Sequence, residues 1–155
     1  GNFLVFAFIG CMLLLAGGGY RPLARRLPEA TLLAGGVTLM ILGLGLVGFV
    51  AWATAGGGAG RGLANLFYAG SGVAVAGFAC VNPSISALIS KRTDPGRQGE
   101  VLGVNQAFAS LGRILGPLAG SILFDAHASH ALPFVVAVAT LGGVACLLPR
   151  IARRA

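Results

Sequence analysis

Charge is what this chain has least of. Asp, Glu, Lys and Arg make up 10% of its 155 residues, and the carboxylates number only 4, whereas a soluble domain carries about 25% charged residues. A water-facing surface cannot be assembled from that inventory, so an ordinary soluble globule is excluded. The 3 cysteines, Cys11, Cys80 and Cys146, stand in separate apolar stretches, with no CxxC pair and no histidine at metal-ligand spacing. That pattern argues against disulfides and against zinc. Also missing are a nucleophile paired with a base, a phosphate-cradling loop between strand and helix, and paired carboxylates. The chain is read as no enzyme, with no catalytic residue, no metal site and no cofactor.

Apolar runs fill the chain instead. Hydrophobic residues amount to 56% and gather in five nearly charge-free stretches, at about residues 2–20, 30–54, 63–89, 100–124 and 131–149. Each is near or above the roughly 20 residues that cross hydrocarbon as a helix. Lipid satisfies no backbone hydrogen bond, so each must be helical. The expected fold class is all-α, a polytopic transmembrane helix bundle of five spans forming a single transmembrane domain over 1–155. The 26 glycines would weaken soluble helices, but in membranes they let helix backbones approach closely. Gly56-Gly57-Gly58 and Pro95-Gly96 read as turns between spans. The first stretch has no initiator Met and no basic leader, and its charges follow the apolar run. It reads as an internal helix, and the chain as a fragment of a larger protein.

The positive charges are distributed one-sidedly. Arg21, Arg25 and Arg26 follow the first stretch, Lys91, Arg92 and Arg97 the third, and Arg150, Arg153 and Arg154 the fifth, while loops 55–62 and 125–130 hold only Arg61. Under the positive-inside rule these clusters are cytoplasmic topology signals, placing the Gly1 end outside and the Ala155 end inside. Trp52, near the outer end of the second stretch, fits an interfacial aromatic. The net charge of +7 does not point to nucleic acid, because the clusters are short and lack the basic stripe with interleaved aromatics that binding requires.

Of the 11 basic residues, only Arg113 falls inside a span, about 20 Å from its start at ~1.5 Å per residue. A guanidinium at that depth costs from ~2.5 to more than 10 kcal/mol unless it faces a cavity or a partner. On a helical wheel Gly103, Gln106, Ser110, Arg113, Pro117 and Ser121 share one sector, opposite Phe108, Leu111, Leu115 and Ile122. One reading makes this a helix lining a solute pathway, with Arg113 attracting an anionic group or pairing with a carboxylate elsewhere in the protein. The other makes Arg113 a structural residue satisfied by helix carbonyls. Pro117 frees the carbonyl of Arg113 and marks a kink with a gating role in prospect. Gly112, Gly116 and Gly120 form a small-residue ridge suited to helix packing.

Pro83 marks a second kink, flanked by Asn82, which faces the same pathway or bonds a neighbouring helix, and by Ser84, with Ser86 one turn on. Asp125, His127 and His130 form a solvated outer loop, with pH sensing as the sharper alternative. No carboxylate lies in the middle of a span, so any proton-carrying acid is expected outside this chain.

Three segments carry a resemblance. They are Gly18-Gly19-Tyr20-Arg21-Pro22-Leu23-Ala24-Arg25-Arg26, Asn82-Pro83-Ser84-Ile85-Ser86, and the run from Gly99-Glu100-Val101-Leu102-Gly103 through Ser110-Leu111-Gly112-Arg113-Ile114-Leu115-Gly116-Pro117 to Gly120. Together they resemble helices eight to twelve, in the C-terminal half, of a major facilitator superfamily transporter, most like the bacterial drug/proton antiporter branch. The resemblance implies two six-helix bundles around a central cavity that opens alternately to each side. It also implies secondary active efflux of small organic solutes or drugs, coupled to protons, in the bacterial inner membrane. The implied partners are the lipid bilayer, a small-molecule substrate, the proton and the missing N-terminal half of the same transporter. The first basic loop departs from the family pattern: no Asp precedes its arginines, and Pro28 stands near a usual glycine. A topology signal is therefore its safer reading. The alternative function is a non-transporting membrane scaffold or accessory subunit.

Overall fold

A computed structural model describes residues 2–58 and 60–152. Arg153 and Arg154, two of the expected topology signals, and both terminal residues lie outside the described residues, as do the side chains of Arg21 and Arg150. Five long helices follow one another: α1 (Asn2–Ala24), α2 (Glu29–Ala55), α3 (Arg61–Arg92), α4 (Gln98–Asp125) and α5 (Leu132–Ala152). A single 3-10 turn, Pro95–Arg97, sits before α4. All five are long and apolar enough to cross a membrane, and no strand occurs among the described residues.

Each helix contains its predicted apolar stretch, apart from a residue at the start of the fifth, and most run a few residues past it. The extensions are polar turns that add backbone hydrogen bonds once the helix has left hydrocarbon. α3 is the longest at 32 residues, about 48 Å at ~1.5 Å per residue, against a hydrocarbon core of about 30 Å. Its last turn carries Lys91 and Arg92, where positive charge also suits the negative end of the helix dipole. α1 runs through Pro22 to Ala24, since that proline removes only one hydrogen bond, close to the helix end.

The exposed surface is apolar. Phe3 is 81% exposed, Phe6 73%, Leu14 79% and Phe108 70%, while the only buried large hydrophobics among the described residues are Leu32, Leu33, Val37, Val47 and Val50. Lipid is as apolar as these side chains, so such a surface is stable only in a membrane, and helix association there rests on close packing. All five buried residues belong to α2, which makes it the core of the bundle.

Glycine builds the main seam. On α2 Gly36 and Gly43 are buried, and on α3 Gly70, Gly77 and Ser84, each set spaced by seven residues and therefore on one face. The helices run antiparallel, so Gly36 meets Gly77 and Gly43 meets Gly70. A Cβ on Gly77 would lie 2.5 Å from the Gly36 carbonyl oxygen, and one on Gly43 would lie 2.6 Å from that of Gly70. Any side chain here would force the backbones apart. α5 joins α2 across Gly48, where a Cβ would come within 2.9 Å of Phe134. α1 lies on α3, with the Phe8 and Tyr68 rings edge to face at 5.3 Å.

α4 is different, with no buried residue. Its half-buried positions are Gln98, Val101, Leu102, Asn105 and Ala109 near one end and Gly120 and Leu123 near the other, whereas every residue from Leu111 to Ala119 is exposed. The helix meets the bundle near its ends and stands clear in the middle.

The antiparallel order gathers connections at two ends. At one end the Lys91 ammonium donates to Glu29 at 2.6 Å, tying α3 to α2, and Gln98 donates its side-chain amide to the Ser90 carbonyl at 3.0 Å. At the other, Trp52, Gly56, Gly58 and His127 to Ser129 frame a depression of about 560 Å³.

Candidate solute pathway

α4 places Arg113 fifteen residues from its first residue and twelve from its last, about 22 and 18 Å at ~1.5 Å per residue. The side chain is exposed and makes no hydrogen bond or ion pair to any described residue. No helix carbonyl among the described residues satisfies the guanidinium. Gln106, Ser110, Pro117 and Ser121 are exposed along the same side, and the Ser121 hydroxyl turns back to the Leu118 carbonyl at 3.0 Å. The predicted polar sector is therefore uncovered by the other helices. The apolar sector is uncovered too, with Phe108 at 70% and Ile122 at 63% exposure.

α4 continues unbroken through Pro117 and α3 through Pro83. Each proline leaves the carbonyl four residues earlier without its usual donor, which puts a free acceptor at Arg113 and another at Ala79. Beside Arg113, nothing outside α4 lies within 4 Å of the position a Cβ would take on Gly112, Gly116 or Gly120. The small-residue ridge faces open space, and the glycine contacts that hold this chain together are those of α2 and α3.

The Asn82 motif divides. Asn82 is exposed and its carbonyl accepts from the Ser86 hydroxyl at 3.2 Å. Ser84 is fully buried, and its hydroxyl meets that of Tyr20 at 3.3 Å, joining α3 to α1. No hydrogen bond brings Asn82 to α4. The sequence signals for the Tyr20 contact were present, a serine inside an apolar span and a tyrosine at a span end, but nothing in the pattern paired them.

The charge signals lie where the connections put them. Arg25 and Arg26 are exposed after α1. Arg92 lines a depression of about 320 Å³ with Thr93 and the apolar side chains of Leu33, Ile85, Leu88, Ile89 and Val101. Arg97 holds Glu100 through two hydrogen bonds of 3.1 and 3.3 Å. In the opposite loop the His127 Nδ1 accepts the Ser129 backbone N–H at 3.1 Å. His130, with φ of 51°, donates from Nδ1 to the Phe124 carbonyl at 2.8 Å and stacks on that ring at 4.2 Å. Both imidazoles are engaged in shaping the turn.

Among known proteins, the family model of the Major Facilitator Superfamily matches residues 2–155. An MFS-type transporter of Bacillus subtilis (strain 168), YuxJ, is 41% identical over 66 residues, which cover 43% of this chain and 17% of that protein. No solved structure matches the chain. A family match over nearly the whole chain agrees with five helices long and apolar enough to cross a membrane: the chain belongs to the major facilitator superfamily.

Proposed function

We propose that these residues are helices eight to twelve of a secondary active transporter, in the C-terminal half of a bacterial drug/proton antiporter of the inner membrane. The N-terminal half and the first helix of this half belong to the parent protein and close the central cavity. Alternating access then moves a small organic solute outward in exchange for protons, with the arginine-bearing end of the bundle in the cytoplasm. Arg113, Gln106 and Ser110 line the pathway from α4 and Asn82 lines it from α3, while Pro117 and Pro83 give those helices their points of bending.

The observation that carries this reading is Arg113. It sits at mid-span on a polar face, exposed and without a partner among the described residues. A charge at that depth is a functional site by default, because hydrocarbon expels it. In the parent protein Arg113→Ala should abolish solute flux into vesicles while leaving membrane insertion intact. Unaltered flux would sink the transport role of Arg113 and favour a non-transporting scaffold, in which the open Gly112, Gly116 and Gly120 ridge binds partner helices.

A further inference from the structure

We propose that Arg113 is one half of a mid-membrane ion pair, and that the other half is an Asp or Glu on a transmembrane helix outside these 155 residues, docked beside the open middle of α4. The proposal goes beyond the transport reading and does not depend on what is carried.

The carboxylates of this chain are 4 in number, and none can serve. Glu100 lies thirteen residues before Arg113 and Asp125 twelve after, about 20 and 18 Å along the helix, several times the reach of an arginine. Glu29 and Asp94 lie at the same end as Glu100. Glu29 is held by Lys91 at 2.6 Å and Glu100 by Arg97 at 3.1 Å. Snorkelling fails as well, since the middle of a ~30 Å hydrocarbon core is about 15 Å from either interface. An anion paired with Arg113 therefore comes from outside the chain.

A protein carboxylate fits the surroundings better than a solute. The exposed stretch from Leu111 to Ala119 includes Gly112 and Gly116, beside which no atom of another helix stands within 4 Å of a prospective Cβ. On α2 and α3 part of such backbone is pressed against another helix, as Gly36 and Gly43 are against Gly77 and Gly70, while Gly35 and Gly45 on α2 stand open. At about 100° per residue, Gly112 lies 100° from Arg113 around α4, Gly116 about 60° and Gly120 about 20°, so the ridge converges on the guanidinium. A helix seated on that ridge brings its own side chains to Arg113 at the same depth. Charge complementarity then requires one of them to be acidic.

The parent protein, purified in detergent, is the test object. Removing one partner of a buried pair leaves an uncompensated charge, whereas neutralising both is often tolerated. Arg113→Gln should therefore cut the folded yield several-fold and lower the melting midpoint. In that background, each span-located Asp or Glu outside the 155 residues is changed singly to Asn or Gln. One such change should restore both yield and midpoint. The pair is overturned if none restores them, or if Arg113→Gln leaves the midpoint unmoved. An unmoved midpoint with weakened binding of an anionic solute would make the solute the counter-ion. Flux is read separately: rescued stability with flux unaffected throughout would remove the transport role of Arg113 and leave the pair standing.

Discussion

Gly43 and Gly45 stand two residues apart on α2 and separate two effects of glycine. A methyl on Gly43 would lie 2.6 Å from the Gly70 carbonyl, whereas one on Gly45 meets nothing within 4 Å. Gly43→Ala should destabilise by about 1–3 kcal/mol, the usual cost of overpacking. Gly45→Ala should be neutral or gain up to ~1 kcal/mol from helix propensity. Thermal melting of the two variants in one detergent checks this, and equal shifts would show that the seam does not set stability. Tyr20 and Ser84 offer a second test, because their hydroxyls meet at 3.3 Å with Ser84 fully buried. A double-mutant cycle of Tyr20→Phe and Ser84→Ala should give a coupling of about 0.6 kcal/mol, the average measured for membrane hydrogen bonds. The Arg97 and Glu100 pair, exposed at 68% and 62%, should add little, as exposed pairs do.

Element boundaries were legible because hydropathy and charge change together at membrane ends, as at Arg61 and at Lys91 and Arg92. Which face of each helix packs was not. In lipid the packed and the outward faces are both apolar, so polarity barely distinguishes them, and small residues decide the contacts. The four-residue ridge at Gly112, Gly116 and Gly120 is conspicuous in the sequence, yet it touches no other helix here. The seam that does form uses the seven-residue spacing of Gly36 with Gly43 and of Gly70 with Gly77, which emerges only when two helices are considered together. The polar face around Arg113 was legible, because charge inside a span is rare. The proposed partner of Arg113 was not, because no carboxylate of this chain is near it. A consequence for dynamics follows from α4 having no buried residue while α2 has eight. Regions with few packed contacts open most readily. Hydrogen exchange on the isolated chain in micelles should therefore show the amides of residues 111–119 exchanging faster than those of residues 36–50. Equal protection would mean that α4 is held as firmly as the core.

At the scale of the whole molecule, the alternating helices set two unlike ends opposite each other. One gathers Arg25, Arg26, Lys91, Arg92 and Arg97, with Glu29 and Glu100 engaging Lys91 and Arg97. The other is framed by Trp52, the glycine turn and the His127 to Ser129 segment. The fold fixes that opposition, and charge supplies a direction for it, since Lys and Arg in short loops are retained on the cytoplasmic side. Asp94 and Ala128 are exposed in connections at opposite ends, so cysteines there report the direction. With the chain expressed in bacterial cells, Ala128→Cys should react with a membrane-impermeant maleimide in intact cells. Asp94→Cys should react only after permeabilisation. The reverse pattern would invert the bundle and carry the proposed direction of export with it. Replacing Arg25, Arg26, Lys91, Arg92 and Arg97 by Gln should then raise labelling of Asp94→Cys in intact cells, because the five spans would remain while the orienting bias would be reduced to Arg21, Arg150, Arg153 and Arg154 against Arg61.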